Sequence, residues 1–268
     1  VSCRRAVALI AMLGFAPAAS AKNWPLPAAG PSVSGDPELI LTFDDGPSPT
    51  YTPKVLDILA KHHLKVIFFM VGEMAGSSNS KVPGIIARII REGHIIGTHT
   101  MTHQNLCKVN EDRAAKEIDD GKATIERAAG IKTKWFRAPY GVRCTRLETM
   151  LAERHLEHFH WDLDPQEWKH HNADRAFKYV TTEVGKMTGR NVLLMHDIHE
   201  ATVKALPEIL DWIDAENVRR EAAHKRRIRI ISGPELAAER IQPGLVAFLA
   251  DTAASTRVLR KAVADLIP

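Results

Sequence analysis

The 268 residues predict an α/β fold built on parallel strands, and a barrel in preference to an open sheet. Three observations lead there. Seven strand-like segments occur, and each but the last is followed by a helix-like one, an alternation that sets strands side by side in parallel. No Gly-rich dinucleotide fingerprint follows any of these strands, so the open nucleotide-binding sheet lacks its main signature. His and Asp residues gather just where the strands end, and in a (β/α) barrel that end carries the active site.

The elements follow in order. ELILTF (38–43) is a short apolar run closed by turn residues. Pro53 opens a helix with Val55, Leu56, Leu59 and Ala60 on one face. VIFFMVG (66–72) is β-branched and aromatic, hence a buried strand. Residues 81–92 carry Val82, Ile85, Ile86, Ile89 and Ile90 at helical spacing and stop at Gly93. HIIGTH (94–99) is the third strand and 111–129 a helix with an acidic first turn. KWFRAP (134–139) is a strand cut off by Pro139, a helix is expected near 145–154, and LEHFHWDLD (156–164) is the fifth strand. A helix over 173–188, the strand NVLLMHD (191–197), a helix over 202–216 and the strand RIRIIS (227–232) complete the set.

Both ends differ in character from this body. Arg4 and Arg5 precede an apolar run, Ala6 to Ala16, and Ala19-Ser20-Ala21 forms an A-x-A site, the pattern of a signal peptide over 1–21. Export to the periplasm or the exterior is the expectation, with no membrane span left after cleavage. Residues 22–37 are rich in Pro, Gly, Ala and Ser and read as a flexible leader. The folded domain is expected over 38–240, followed at 241–268 by an amphipathic helical extension that packs on it. Without Arg4 and Arg5 the chain has 34 Lys+Arg against 32 Asp+Glu, a balance that argues against nucleic acid as a partner. The basic run VRREAAHKRRIR (218–229) reads as a solvated loop. Cys107 and Cys144 remain after cleavage; in an exported chain they are candidates for a disulfide, and the sequence leaves paired and free states open.

The chemistry begins at LTFDDGP. Asp44 and Asp45 end a strand side by side, an unfavourable pairing unless a positive charge sits beside them or one carboxyl takes a proton. His99 and His103 lie four residues apart in GTHTMTH at another strand end, and converge on one ion if the chain turns helically there. With Asp45 they form a two-His, one-carboxylate set that suits Zn²⁺, with Fe²⁺, Co²⁺ or Ni²⁺ as the other fits. Asp44 is then left as a general base. In FRAPYG, Arg137 is placed to hold Asp44, and the Tyr140 N–H follows Pro139 in a tight turn that can face an oxyanion. HWDLDPQEW supplies Asp162, Asp164, Glu167 and two tryptophans, Trp161 as a core residue and Trp168 as a face on which a sugar stacks. His196 ends the sixth strand and is the candidate general acid, while His199 reads as structural.

Taken in order, TFDDGP, HTMTH, RAPY, DPQEW and LLMH resemble the five signatures of the polysaccharide deacetylases, the NodB-homology or family 4 carbohydrate esterases. The resemblance runs from about Leu39 to Leu236. It implies a distorted (β/α)7 barrel and metal-dependent removal of acetyl groups from an N-acetylated, or O-acetylated, polysaccharide or oligosaccharide. By position, Asp44 resembles the family's base and Asp45, His99 and His103 its metal ligands. Arg137 resembles the residue that orients the base, Tyr140 the oxyanion donor and His196 the acid. Leu193 resembles the residue bordering the acetyl pocket, and Pro139 and Trp168 are expected beside the substrate. One departure stands out: Glu167 occupies a position where the family usually has Asp, so its carboxylate reaches one methylene further toward Arg137 or His196. A non-catalytic carbohydrate-binding relative, and another metallohydrolase or a non-haem iron oxygenase with the same ligand set, are the alternatives.

Overall fold

A computed structural model describes residues 36–239. The expected signal peptide (1–21), the leader (22–37) up to residue 35, and the extension expected from 241 lie outside the described residues. Among the described residues there are seven parallel strands: β1 (Glu38–Asp44), β2 (Ile67–Met70), β3 (Ile95–Thr98), β4 (Trp135–Phe136), β5 (Glu157–His158), β6 (Arg190–His196) and β7 (Arg229–Ile230). The sheet runs β5-β4-β3-β2-β1-β6, and β7 pairs with the start of β1. A single parallel bridge between Leu163 and Leu193 brings the chain beyond β5 back to β6. The sheet therefore curls into the distorted (β/α)7 barrel expected from the sequence.

Eight helices accompany the strands among the described residues: α1 (Thr52–Lys61), α2 (Gly72–Ala75), α3 (Val82–Arg91), α4 (Glu111–Ala129), α5 (Thr145–Glu153), α6 (Glu167–His170), α7 (Ala173–Lys186) and α8 (Glu200–Ala222). Their boundaries have local causes. Pro sits in the first turn of α1 and of α3, where its missing N–H costs nothing. Asn110 and Asn172 cap α4 and α7 by accepting from the backbone N–H groups of Arg113 and Arg175, at 2.8 Å each. Gly130 ends α4 in the left-handed region at φ 66°.

Strand alternation splits the core in two. Leu39, Leu41 and Phe43 of β1 face outward with Leu193 and Met195 of β6, against Val55, Leu56, Ile86, Ile209 and Ile213 from the helices. Ile40, Ile67, Phe69, Trp135, Phe159 and Val192 face inward and fill the barrel. Each such fully buried side chain contributes about 1.5–3 kcal/mol. A third cluster, with Leu106, Ile118, Phe136, Leu147 and Leu151, packs beneath α4 and α5. There Cys107 and Cys144 form a disulfide, their Cα atoms 6.0 Å apart. Closing a segment of 37 residues in this way is worth about 3–4 kcal/mol through the unfolded chain.

Several expectations are corrected in detail. The fourth, fifth and seventh strands are two residues each, shorter than the apolar patterning predicts. α2 and α6 are single turns that the periodicity of the sequence did not announce. α8 continues to Ala222, so the start of the basic run is helical. Its charges are largely matched: Arg219 and Arg220 pair with Glu216, Arg226 with Asp36, Arg227 with Glu221, and Arg229 with Glu38 and Glu235. Among the described residues no helix is long and apolar enough to cross a membrane.

Candidate active site

The predicted site residues, Leu193 excepted, gather at the C-terminal ends of the strands. β1 delivers Asp44 as its last residue, in register with His196 at the end of β6. Asp45 follows in the left-handed region at φ 74°, which turns its carboxylate off the line of the strand. Gly46 comes next because a Cβ there would lie 2.3 Å from Asp197 Oδ2. The loop is tied down beneath: buried Asp197 accepts from the Thr52 hydroxyl, and that hydroxyl accepts from the Ser48 N–H at 2.7 Å.

His99 leaves β3 and His103 returns beside it, so both imidazoles converge on Asp45. The expected helical turn is not how they do so. The chain bends through Thr100 and His103, both left-handed at φ 68° and 59°. The bend is held by the His103 N–H donating to Thr100 Oγ1 at 3.0 Å, and by Thr102 donating its N–H and its hydroxyl to Glu117, at 2.7 Å each.

The ligand atoms of Asp45, His99 and His103 all lie within 4.8 Å of one another. Asp45 Oδ1 is 3.5 Å from His99 Nε2 and 3.3 Å from His103 Nε2. His99 Nδ1 lies 2.8 Å from the Arg137 carbonyl, which can only accept, so Nδ1 carries the proton. Burial pushes the His99 pKa down to about 3, outweighing the pull of Asp45, so the ring is neutral and Nε2 bears a lone pair. That lone pair faces a buried carboxylate oxygen with no hydrogen-bond partner. Two acceptors with no proton between them fit a cation, and two imidazoles with one carboxylate suit a divalent transition metal.

Asp44 is held differently. Its Oδ1 accepts from Arg137 Nη1 at 2.7 Å, and its Oδ2 lies 3.6 Å from His99 Nε2. Burial pushes the Asp44 pKa up, and the charge and hydrogen bond of Arg137 pull against that. Arg137 is itself fully buried. It also donates to Thr42 Oγ1 and to the carbonyls of Phe159 and His160. Its guanidinium lies 4.2 Å from the Phe69 ring centre, a placement worth about 2 kcal/mol when desolvated.

The odd Glu167 finds its partner in His196. Glu167 Oε1 accepts from the His196 backbone N–H at 2.8 Å and meets His196 Nδ1 at 3.0 Å. Burial alone would lower the His196 pKa; Glu167, with Asp44 and Asp45 beyond it, outweighs burial and pushes it up to about 9. Trp168, 41% exposed, stands 6.3 Å from the His196 ring on the rim. Tyr140, 65% exposed, stands on the other side with its ring 4.7 Å from that of His103, in a turn where its φ is 60°. Pro139 is buried beneath that turn. Trp161 is partly buried against the barrel interior, as expected.

Leu193 does not reach this site. It is fully buried in the helix-facing core, and side chains two apart share a strand face, so Leu194 is the residue on the face of His196. Two supporting residues escaped the sequence reading. Asp197 and Glu117 act on loops 145 and 15 residues away in sequence, and neither stands in a pattern that announces such a partner.

A parallel barrel whose strand ends gather two imidazoles and a carboxylate able to hold an ion, beside a buried Asp44 and a raised His196, has the parts that a hydrolase uses. The comparisons with known proteins agree. The polysaccharide deacetylase family model matches residues 32–157. A peptidoglycan-N-acetylglucosamine deacetylase of Bacillus cereus is 36% identical over 186 residues, 68% of this chain and 65% of that one. A chitooligosaccharide deacetylase of Sinorhizobium fredii is 33% identical over 167 residues, 62% of this chain and 74% of the relative. Among solved structures, a T48 deacetylase with substrate superposes with a TM-score of 0.65 at 30% identity, over 77% of this chain and 93% of that one. The chain belongs to the polysaccharide deacetylase family. Its match spans slightly less than two thirds of the Bacillus cereus relative.

Proposed function

We propose that this protein is an exported, metal-dependent deacetylase that removes acetyl groups from N-acetylated sugars of a cell-envelope or extracellular polysaccharide. The observation that carries the proposal is the convergence of Asp45, His99 and His103 beside a buried Asp44 and a raised His196. The relatives' names, peptidoglycan-N-acetylglucosamine and chitooligosaccharide deacetylases, point to N-acetylglucosamine as the sugar.

Asp45, His99 and His103 would hold the divalent ion, Zn²⁺ first among the fits, with Co²⁺, Fe²⁺ or Ni²⁺ behind it. When bound, such an ion supplies a Lewis acid for the acetyl carbonyl and makes nearby water more acidic. The chain's own residues do the rest. Asp44, with Oδ1 occupied by Arg137, takes the proton of the attacking water at Oδ2. The Tyr140 N–H serves the developing oxyanion. His196, with Nδ1 held by Glu167, gives its proton from Nε2 to the leaving amine. Trp168 and the Tyr140 ring flank the sugar, and Leu194 takes the place first ascribed to Leu193 beside the acetyl group. The domain over 38–240 carries these roles.

Acetate release from a panel of acetylated glycans, with and without chelator, tests the proposal. Chelator-sensitive release from an N-acetylglucosamine polymer is expected. Metal-loaded protein inert on every member would instead support the non-catalytic carbohydrate-binding reading.

A further inference from the structure

The described site rests on residues in a costly backbone conformation. Thr100, His103 and Tyr140 are all left-handed without being glycine, and such residues persist only where their surroundings over-determine them. The segment from His99 to Asn110 has no regular secondary structure, so its surroundings must come from other parts of the chain. One of them is covalent. Cys107 lies four residues beyond His103, and Cys144 lies four residues beyond Tyr140. The disulfide between them joins the same two loops whose His103 and Tyr140 rings meet at 4.7 Å. Arg146, two residues past Cys144, adds to the junction by donating to the carbonyls of Leu106 and Val109, at 2.7 and 2.6 Å.

We propose that the Cys107–Cys144 disulfide is a positioning cross-link, which makes the metal-ligand loop and the oxyanion turn one rigid unit and so holds His103 in reach of the ion. The part of this that concerns turnover rests on the deacetylase reading; the part that concerns metal affinity rests only on the Asp45–His99–His103 site. With the bond broken, His103 and Tyr140 relax toward ordinary φ values independently of each other. His103 loses its fixed distance to Asp45, and the Tyr140 N–H loses its fixed aim.

The test uses the full oxidised chain and its Cys107→Ser/Cys144→Ser variant. Co²⁺ affinity is read by competition with a chromophoric chelator, and kcat and KM are read on an N-acetylglucosamine tetramer. Co²⁺ affinity and kcat should each fall by about 10-fold, the size typical of losing a residue that supports a metal ligand, with KM little changed. A lower melting temperature with Co²⁺ affinity and kcat both unchanged would show a purely structural bond and overturn the proposal. If the variant does not fold, the oxidised chain is reduced after folding with a water-soluble phosphine. The phosphine takes oxygen from water to become its oxide as the disulfide becomes two thiols. Co²⁺ affinity should then fall in proportion to the thiols released and return on reoxidation. Full reduction with unchanged affinity would overturn the proposal. An oxidised chain that binds Co²⁺ but releases no acetate would sink the deacetylase reading and leave the affinity measurements to decide the cross-link.

Discussion

Strand β1 begins and ends on a buried carboxylate. At its start Glu38 is fully buried, its Oε2 2.7 Å from Arg190 and its Oε1 2.9 Å from Arg229; Arg190 also pairs with Glu239. Both oxygens have a guanidinium partner. At the other end Asp44 has a guanidinium for one oxygen only, and Asp45 next to it has a buried oxygen with no partner. The residue chemistry is similar and the outcome is opposite. A completed ion network at the bottom of a barrel serves stability, whereas the incomplete one at the top is where the proposed ion would sit.

The largest expected effect breaks the top end. Asp44→Asn should lower kcat by about 10³-fold, the range of a lost general base, while metal analysis shows the ion retained. Next comes the bottom end. Arg190→Met leaves Glu38 short of a buried partner and should cost about 3–5 kcal/mol by chemical denaturation, with kcat unchanged in the folded protein. Loss of turnover without loss of stability in Arg190→Met would erase the distinction between the two ends.

Glu167→Gln sharpens it. In the proposed role of general acid His196 must be protonated, and its pKa is pushed up to about 9, so activity should fall as pH rises through about 9. Glu167→Gln should move that alkaline limb to lower pH, while Glu167→Asp should leave it nearly in place; pH–rate profiles decide. The same shift bears on stability. A pKa raised in the folded state stabilises fully below the unfolded value, near 6.5, and that contribution is lost as pH rises from there through about 9. The smallest effect is at the rim, where Trp168→Ala should raise KM severalfold and leave kcat near its original value.

How much of this was legible follows from how local each feature is. Asp44, Asp45, His99, Arg137 and His196 were readable because each sits at or just past a strand end that apolar patterning locates. The face of a strand residue was also readable in principle: counting back two from His196 gives Leu194, the residue whose neighbour Leu193 was named instead. The bend between His99 and His103 was not, because left-handed Thr100 follows no propensity and is imposed by packing from Glu117 and Gly121, where a Cβ would lie 2.5 Å from Thr100. Asp197 escaped for a similar reason: its partner Thr52 is far away in sequence and meets it only in the closed barrel. The short outer strands were drawn too long because burial and aromatic content persist where the ladder has already broken.

The most direct test of the incomplete top end is metal stoichiometry and acetate release followed on one sample through stripping and reconstitution. One divalent ion bound per chain is predicted, with acetate release lost on stripping and restored by Zn²⁺ or Co²⁺, and with no ion held by Asp45→Ala. A stripped chain that still releases acetate, or an Asp45→Ala chain that binds the ion as tightly as the parent, would contradict the account.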